Sequence, residues 1–180
     1  MEEKRYMDAA AQLNVIHLGK SAGVVYWKPA GLKLYENLKG FIRKHHENKG
    51  YQEVKSPSIV HCSVFEKSGH SDKYAHNMFS INSEDGYALR PMSCPNHIEI
   101  YASEVRSYRD LPLPLFEFGE VFRNEPSGSL QVLFRQRQFC QDDSHVFVNP
   151  NKMIDSISDY LNMSRDVYKE LGFKKVSYVI

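Results

Sequence analysis

Arg135-Gln136-Arg137-Gln138-Phe139-Cys140-Gln141-Asp142-Asp143-Ser144-His145 is the stretch on which the reading of this chain turns. It reads as the body of a strand from Leu133 to Phe147. Strand side chains alternate between faces, so Arg135, Arg137, Phe139, Gln141, Asp143 and His145 share one face. A strand that hides one face should carry apolar residues there, and this face has only Phe139. The opposite row (Phe134, Gln136, Gln138, Cys140, Asp142, Ser144) is scarcely more apolar. Read as a ligand strip, the arginines offer bidentate donors to phosphate and Phe139 offers a flat surface to a purine. Gln141 and Asp143 would hold an ammonium or hydroxyl group, and His145 is a metal-competent imidazole. A solvated strand with cross-strand ion pairs accounts for the same pattern without any ligand.

The neighbouring strand candidate, Leu115 to Glu125, is joined to the first by the turn-rich Pro126-Ser127-Gly128-Ser129. It ends Phe122-Arg123-Asn124-Glu125, which puts Arg123 and Glu125 on one face. An arginine and a carboxylate there suit a nucleotide's phosphate and its exocyclic amine. The alternative is a surface ion pair, which contributes little to stability. Two such strands make a hairpin with convergent polar groups, a site-like arrangement.

Working outward, Leu34, Leu38, Phe41, Ile42 and His45 recur at helical spacing and predict an amphipathic helix over 31–48, stopped by Gly50. Tyr51 to Lys55 reads as a strand, with Pro57 extending the chain after it. Met78 to Ile81 and Tyr87 to Arg90 read as a hairpin around Asn82-Ser83-Glu84-Asp85-Gly86. Pro95 opens a helix expected to reach Ser107. Asn149 or Asn151 caps a last helix to about Leu171, ended by Gly172, and Val176 to Ile180 reads as a strand. Met1 to Leu18 is polar and partly helical. The sum is an α+β fold, an antiparallel sheet flanked by helices, with more sheet expected after Ile180.

Composition narrows the classes. The chain has 180 residues, 42% hydrophobic and 25% charged, which suits one soluble domain. A formal net charge of +1 gives no global basic field for nucleic acid. Cys62, Cys94 and Cys140 are an odd set with no secretory segment ahead of them, which points to a reducing compartment and a cytoplasmic location. No run approaches the roughly 18 apolar residues of a membrane helix. Cys94 and His97 form a Cys-x-x-His pair, a local metal clip in one reading. In the other, Cys94 is a small buried hydrophobe, the commonest fate of a free cysteine. Cys62 and Cys140 are read as structural, and His45, His46 and His61 as surface or core residues.

Phe122-Arg123-Asn124-Glu125, the following loop, Arg135 and Phe139 resemble motif 2 of the class II aminoacyl-tRNA synthetases. The string Arg123-Asn124-Glu125-Pro126-Ser127-Gly128-Ser129-Leu130, followed by Gln141-Asp142-Asp143-Ser144-His145, is similar to the family's threonyl branch. So are Ser68-Gly69-His70, Arg90-Pro91-Met92-Ser93-Cys94-Pro95 and Ser107-Tyr108-Arg109-Asp110-Leu111-Pro112. Gly50-Tyr51-Gln52-Glu53-Val54 through Pro57 resembles motif 1, the dimer-forming helix and strand. The resemblance implies a linker or helix over residues 1–22 and a partial catalytic domain over 23–180. Motif 1 would fall at 31–60 and motif 2 at 115–147, with motif 3 beyond Ile180.

That resemblance implies a threonine–tRNA ligase chemistry: ATP-dependent activation of threonine to threonyl-adenylate, then transfer to tRNA. It assigns the α-phosphate to Arg123, the catalytic residue. The adenine amine falls to Glu125, adenine stacking to Phe139 and the outer phosphates to Arg135, with Mg2+ alongside ATP. Met92, Gln141 and Asp143 would seat threonine, and His70 would lie at the rim. Cys94 and His145 would be two ligands of a Zn2+ whose third protein ligand lies outside this chain. A homodimer through motif 1 is implied, and no membrane. Val132 and Gln138 depart from the family, which usually has glycine at both positions, as does Ser71, where an aromatic residue is common. These departures keep open a non-catalytic module that binds nucleotide, tRNA or a partner subunit. Cys94 together with Gln141-Asp142-Asp143-x-His145 separates the threonyl branch from the seryl and prolyl ones.

Overall fold

The structure is a computed structural model that describes residues 9–10, 12–67, 69, 77–81 and 85–179. In chain order its elements are β1 (Ile16–His17), β2 (Tyr26–Trp27), α1 (Pro29–Asn48), β3 (Gln52–Glu53), β4 (Ile59–His61) and α2 (Ser63–Lys67). There follow β5 (Phe79–Ser80), β6 (Tyr87–Leu89), α3 (Cys94–Ala102), β7 (Leu113–Phe122), β8 (Gln138–Phe147) and α4 (Met153–Glu170).

The apolar run of β7, Leu113-Pro114-Leu115-Phe116, makes it the centre of the main sheet, ordered β3-β7-β8. It pairs antiparallel with β8 from Leu113 opposite Phe147 to Phe122 opposite Gln138. With β3 it pairs parallel, through Gln52 opposite Leu115 and Glu53 opposite Phe116. Flanked on both edges, β7 buries side chains on both faces, among them Leu115, Phe116 and Val121. Each such burial stabilises the fold by roughly 1.5–3 kcal/mol. A second, antiparallel sheet runs β4-β6-β5, and β1 pairs with β2 in a short ribbon. The fold is α+β, mainly antiparallel sheets with helices packed on them. The β1–β2 ribbon spans residue 22, so the chain on either side of that point is tied together.

α1 begins with Pro29 in its first turn, where a missing N–H costs nothing. It ends in a Schellman arrangement: Gly50 has φ +78°, its N–H donates to Glu47 O, and Tyr51 N–H donates to His46 O. The packed face differs from the apolar stripe read in the sequence. Leu34 and Leu38 are 58% and 42% exposed, whereas Gly31 and His46 are buried. The reason is chemical. The His46 ring stacks on Phe116 (4.2 Å between centroids), and Lys39 and Arg43 lay their cations over the Phe118 ring at 5.2 and 5.1 Å. Long polar side chains thereby cover the sheet with their stems. Gly31 permits a close approach: a Cβ there would stand 2.0 Å from the Val15 carbonyl oxygen.

Four further expectations change. The strand expected from Leu133 begins only at Gln138, because residues 131–135 close a tight turn bridged Gln131 to Arg135, with Val132 at φ +25°. The strand expected to reach Glu125 ends at Phe122. α3 stops at Ala102 rather than Ser107, since Ser107 instead caps the next turn. Its Oγ accepts from Arg109 N–H, and Asp110 Oδ2 accepts from Ser107 N–H. Residues 176–179 form no strand, and none of the described strands pairs with them. The 79–80 and 87–89 hairpin is present, while Asn82, Ser83 and Glu84 of its turn lie outside the described residues, as do Ser68, His70 and Ser71. No helix among the described residues is long and apolar enough to cross a membrane.

Candidate functional site

β8 sorts its side chains as alternation requires. Cys140 and Asp142 belong to the face covered by α1, where Asp142 Oδ1 meets His46 Nε2 at 2.8 Å. Phe139, Gln141, Asp143, His145 and Phe147 belong to the other face, opposite Val121, Gly119, Glu117, Leu115 and Leu113 of β7. α3 lies on that face, with Tyr101 stacked on Phe147 at 4.1 Å.

At the loop end of the β7–β8 hairpin, Arg123, Glu125, Arg135 and Phe139 line one cavity of about 460 Å³, together with Leu133 and Phe134. The Arg123 guanidinium lies 5.1 Å over the Phe139 ring, and its Nε donates to Pro91 O at 3.2 Å. That bond ties Arg123 to the turn carrying Met92, which is buried two residues before Cys94. Arg135 stands off the strand, so it does not extend the row of Phe139. It reaches the cavity from the turn, where its Nε and Nη2 both donate to Glu125 Oε2, at 3.0 and 2.8 Å. Arg137 does not join the site. Its guanidinium donates to Glu125 O, Ser127 Oγ and Ala22 O, pinning the loop and the amino-terminal segment.

Farther along the same face, ligand atoms of Cys94, Asp143 and His145 all lie within 4.8 Å of one another, and the three residues are half-buried. Thiol, carboxylate and imidazole are a zinc donor set, and tetrahedral ligands about 2.0–2.3 Å from a common centre need only small side-chain rotations from this spacing. The residues therefore fit a divalent cation. Burial first, and the Asp143 charge second, push the Cys94 thiol up. A cation beside it would favour the thiolate instead. His97, three residues from Cys94, does not join the cluster: its Nε2 contacts Glu117 Oε2 at 3.2 Å and its Nδ1 contacts His145 Nδ1 at 2.9 Å. Gln141 is half-buried between this cluster and Phe139 along β8.

Beneath the site runs a polar network to which the sequence reading gave no role. Glu117 is buried and accepts from Arg90 Nη1 (3.1 Å) and Nη2 (3.0 Å), Ser56 N–H (3.0 Å) and Ser56 Oγ (2.7 Å). Arg90 Nη1 also donates to Ser56 Oγ, and its Nε to Glu120 O at 2.7 Å. Burial alone would raise the Glu117 carboxyl, but hydrogen bonds from His97, Arg90 and Ser56 outweigh it and hold the group well below the usual carboxylate range. Gly119 makes room for this: a Cβ there would come within 2.7 Å of Ser93 Oγ and 3.3 Å of Arg90 Nη2. The one sequence signal for the network was a carboxylate, Glu117, set between Phe116 and Phe118 of β7, since a buried charge demands partners.

Residues 77–180 match the family described as the tRNA synthetase class II core domain (G, H, P, S and T). The chain is 41% identical over 177 residues to a threonine–tRNA ligase of Acinetobacter baumannii (strain SDF), covering 97% of this chain and 28% of that protein. It is 40% identical over 181 aligned residues to one of Herminiimonas arsenicoxydans, covering 99% and 28%. It thus spans about 28% of the length of these relatives. Among solved structures it resembles the RNA binding domain of threonyl-tRNA synthetase from Cryptosporidium parvum Iowa II, with TM-score 0.88 and 36% identity, over 91% of this chain and 42% of that one. Giardia lamblia prolyl-tRNA synthetase in complex with prolyl-adenylate shares the fold, with TM-score 0.84 and 21% identity, over 93% of this chain and 36% of that one.

Proposed function

The chain belongs to the class II tRNA synthetase core domain family, and from that premise we propose that it supplies the ATP- and threonine-binding half of a threonine–tRNA ligase. The observation that carries this reading is the meeting on one hairpin face of two chemistries: the Arg123, Glu125, Arg135 and Phe139 cavity, and the Cys94, Asp143 and His145 cluster. Adenine stacks on Phe139 with its amine on Glu125. Arg123 holds the α-phosphate and Arg135 the outer phosphates, accompanied by Mg2+. A threonine carboxylate oxygen bonds to the α-phosphorus while the bond from that phosphorus to the pyrophosphate oxygen breaks. Negative charge grows on the phosphoryl oxygens as this happens, and Arg123 opposes it. Positioning and electrostatics do this work without a general base.

Cys94 and His145 would hold zinc, and Asp143, which stands within reach of the same ion, would with Met92 and Gln141 surround the amino acid. When bound, zinc supplies Lewis-acid ligation of the substrate's amine and hydroxyl, and a site that must ligate a hydroxyl strongly rejects valine, which lacks one. The exposed Leu32, Leu34 and Leu38 of α1 support a homodimer through the motif 1 region. tRNA is the acceptor, and the location is cytoplasmic.

A second reading draws on a specific observation. Arg135 is spent on Glu125, and the β-branched Val132 turns the loop at positive φ. Both suit a module that binds nucleotide, tRNA or a partner subunit without forming adenylate. Threonine-dependent ATP–pyrophosphate exchange, with zinc and magnesium supplied, separates the two. The assay is run on this chain alone and with a carboxy-terminal half of the family's catalytic domain added. Exchange with threonine and not valine supports the ligase. A folded chain that never exchanges, with or without the added half, supports the module.

A further inference from the structure

Glu117, His97 and His145 stand in line, Glu117 Oε2 to His97 Nε2 at 3.2 Å and His97 Nδ1 to His145 Nδ1 at 2.9 Å. We propose that Glu117 and His97 are positioning residues that hold His145 in its Nδ1–H tautomer, so that Nε2 carries the lone pair offered to a divalent cation. This deepens the metal reading above and rests on it.

The argument follows the protons. An ionised carboxylate only accepts hydrogen bonds, and Glu117 is ionised, since Arg90 and Ser56 already donate to it. The proton in the Glu117–His97 contact is therefore on His97 Nε2. A neutral imidazole has one N–H, so His97 Nδ1 carries a lone pair. At 2.9 Å it faces another ring nitrogen, and two lone pairs do not meet at that distance. His145 Nδ1 must supply the proton. Asp143 Oδ1, 3.8 Å from that same nitrogen, favours a proton there by its charge. The lone pair of His145 is left on Nε2. A doubly protonated His97 would reverse the chain, but it would bury a second cation beside Arg90 against a single carboxylate, which is costly. His97 has no exposed surface and Glu117 almost none, so the line is not interrupted by solvent.

The same short helix thus performs two tasks. The first residue of α3, Cys94, belongs to the donor cluster, and His97, one turn on, faces the sheet and orients the next ligand. Cys-x-x-His is here a ligand and an orienter rather than a two-ligand clip. Partners of this kind fix which ring nitrogen a metal receives, and their loss costs about 10–100-fold in metal affinity.

The test uses 15N-labelled chain, free of metal, at about pH 8, above the ordinary imidazole range. Long-range 1H–15N correlation of the imidazoles should show His145 protonated at Nδ1. In His97→Leu, checked for folding by circular dichroism, His145 should populate both tautomers. Co2+ affinity, measured by competition with a chromophoric chelator, should then fall about 10–100-fold. His97→Asn places an amide oxygen near the Nδ1 position and should recover part of both. His145 protonated at Nε2 in the unaltered chain overturns the proposal, and so do tautomer and affinity left unchanged by a folded His97→Leu. If the unaltered chain takes up no Co2+, the metal reading of the site fails, and the tautomer readout still decides the relay by itself.

Discussion

Glu117→Gln is the substitution with the largest consequence that the structure allows to be worked out in advance. The side chain keeps its shape and loses its charge. Arg90, whose side chain is only 2% exposed, is then left in the interior without its counter-charge. One partner removed from a buried pair costs about 3–5 kcal/mol. A domain of this kind holds roughly 5–15 kcal/mol in total, so the folded-to-unfolded ratio falls by about two to four powers of ten at about 1.4 kcal/mol per power. With a urea slope of about 1–3 kcal/mol per molar, the unfolding midpoint should drop by about 2 M. Acid adds a second readout. The Glu117 carboxyl is held below its usual range, so its stabilisation is complete above the unfolded value of about 4.3 and drains away as pH falls from there toward the native value. The unaltered chain should therefore lose stability below about pH 5, and Glu117→Gln should show less of that slope. Exchanging both partners, Arg90→Met with Glu117→Leu, should be milder than Glu117→Gln alone, because no orphaned charge remains. A Glu117→Gln midpoint close to that of the unaltered chain, with its acid slope intact, would refute this account of the network.

Arg123→Ala should abolish adenylate formation in the exchange assay while costing only about 1 kcal/mol of stability, since it loses one bond to Pro91 O and the contact with Phe139; an unfolded variant would make Arg123 a structural residue instead. Val132→Gly should leave the melting temperature unchanged or higher, because relief of positive φ offsets the roughly 0.5–1 kcal/mol entropic cost of glycine. A clear drop in melting temperature would mean that the Val132 side chain is needed for packing. Gly31→Ala puts a Cβ against backbone and should cost about 1–3 kcal/mol. Its first sign should be faster tryptic cleavage after Lys20, as the segment around Val15 lifts from α1, and unchanged cleavage would count against that contact.

What the sequence determined by itself is whatever depends on neighbours along the chain. Gly50 ends α1 as read because a left-handed glycine acts locally, while the start at Pro29, two residues before the expected Gly31, was missed although first-turn proline is equally local. Phe139, Gln141, Asp143 and His145 share a face because a strand repeats every two residues. The order of the motifs was enough to identify the family. The tertiary structure decided what depends on approach across space. Period two failed for Arg135 because a positive-φ turn, and not the strand, carries it to Glu125. The packed face of α1 was decided by aromatic rings of β7, which lysine and arginine stems cover as well as leucine does. His97 reaches His145 across 48 positions only because α3 lies on the sheet, and Glu117 becomes a buried anion only because Arg90, Ser56 and His97 arrive from three other segments. Local periodicity can say which face a side chain takes, but the cost of burying its charge is set by partners that only the folded chain brings within about 3 Å.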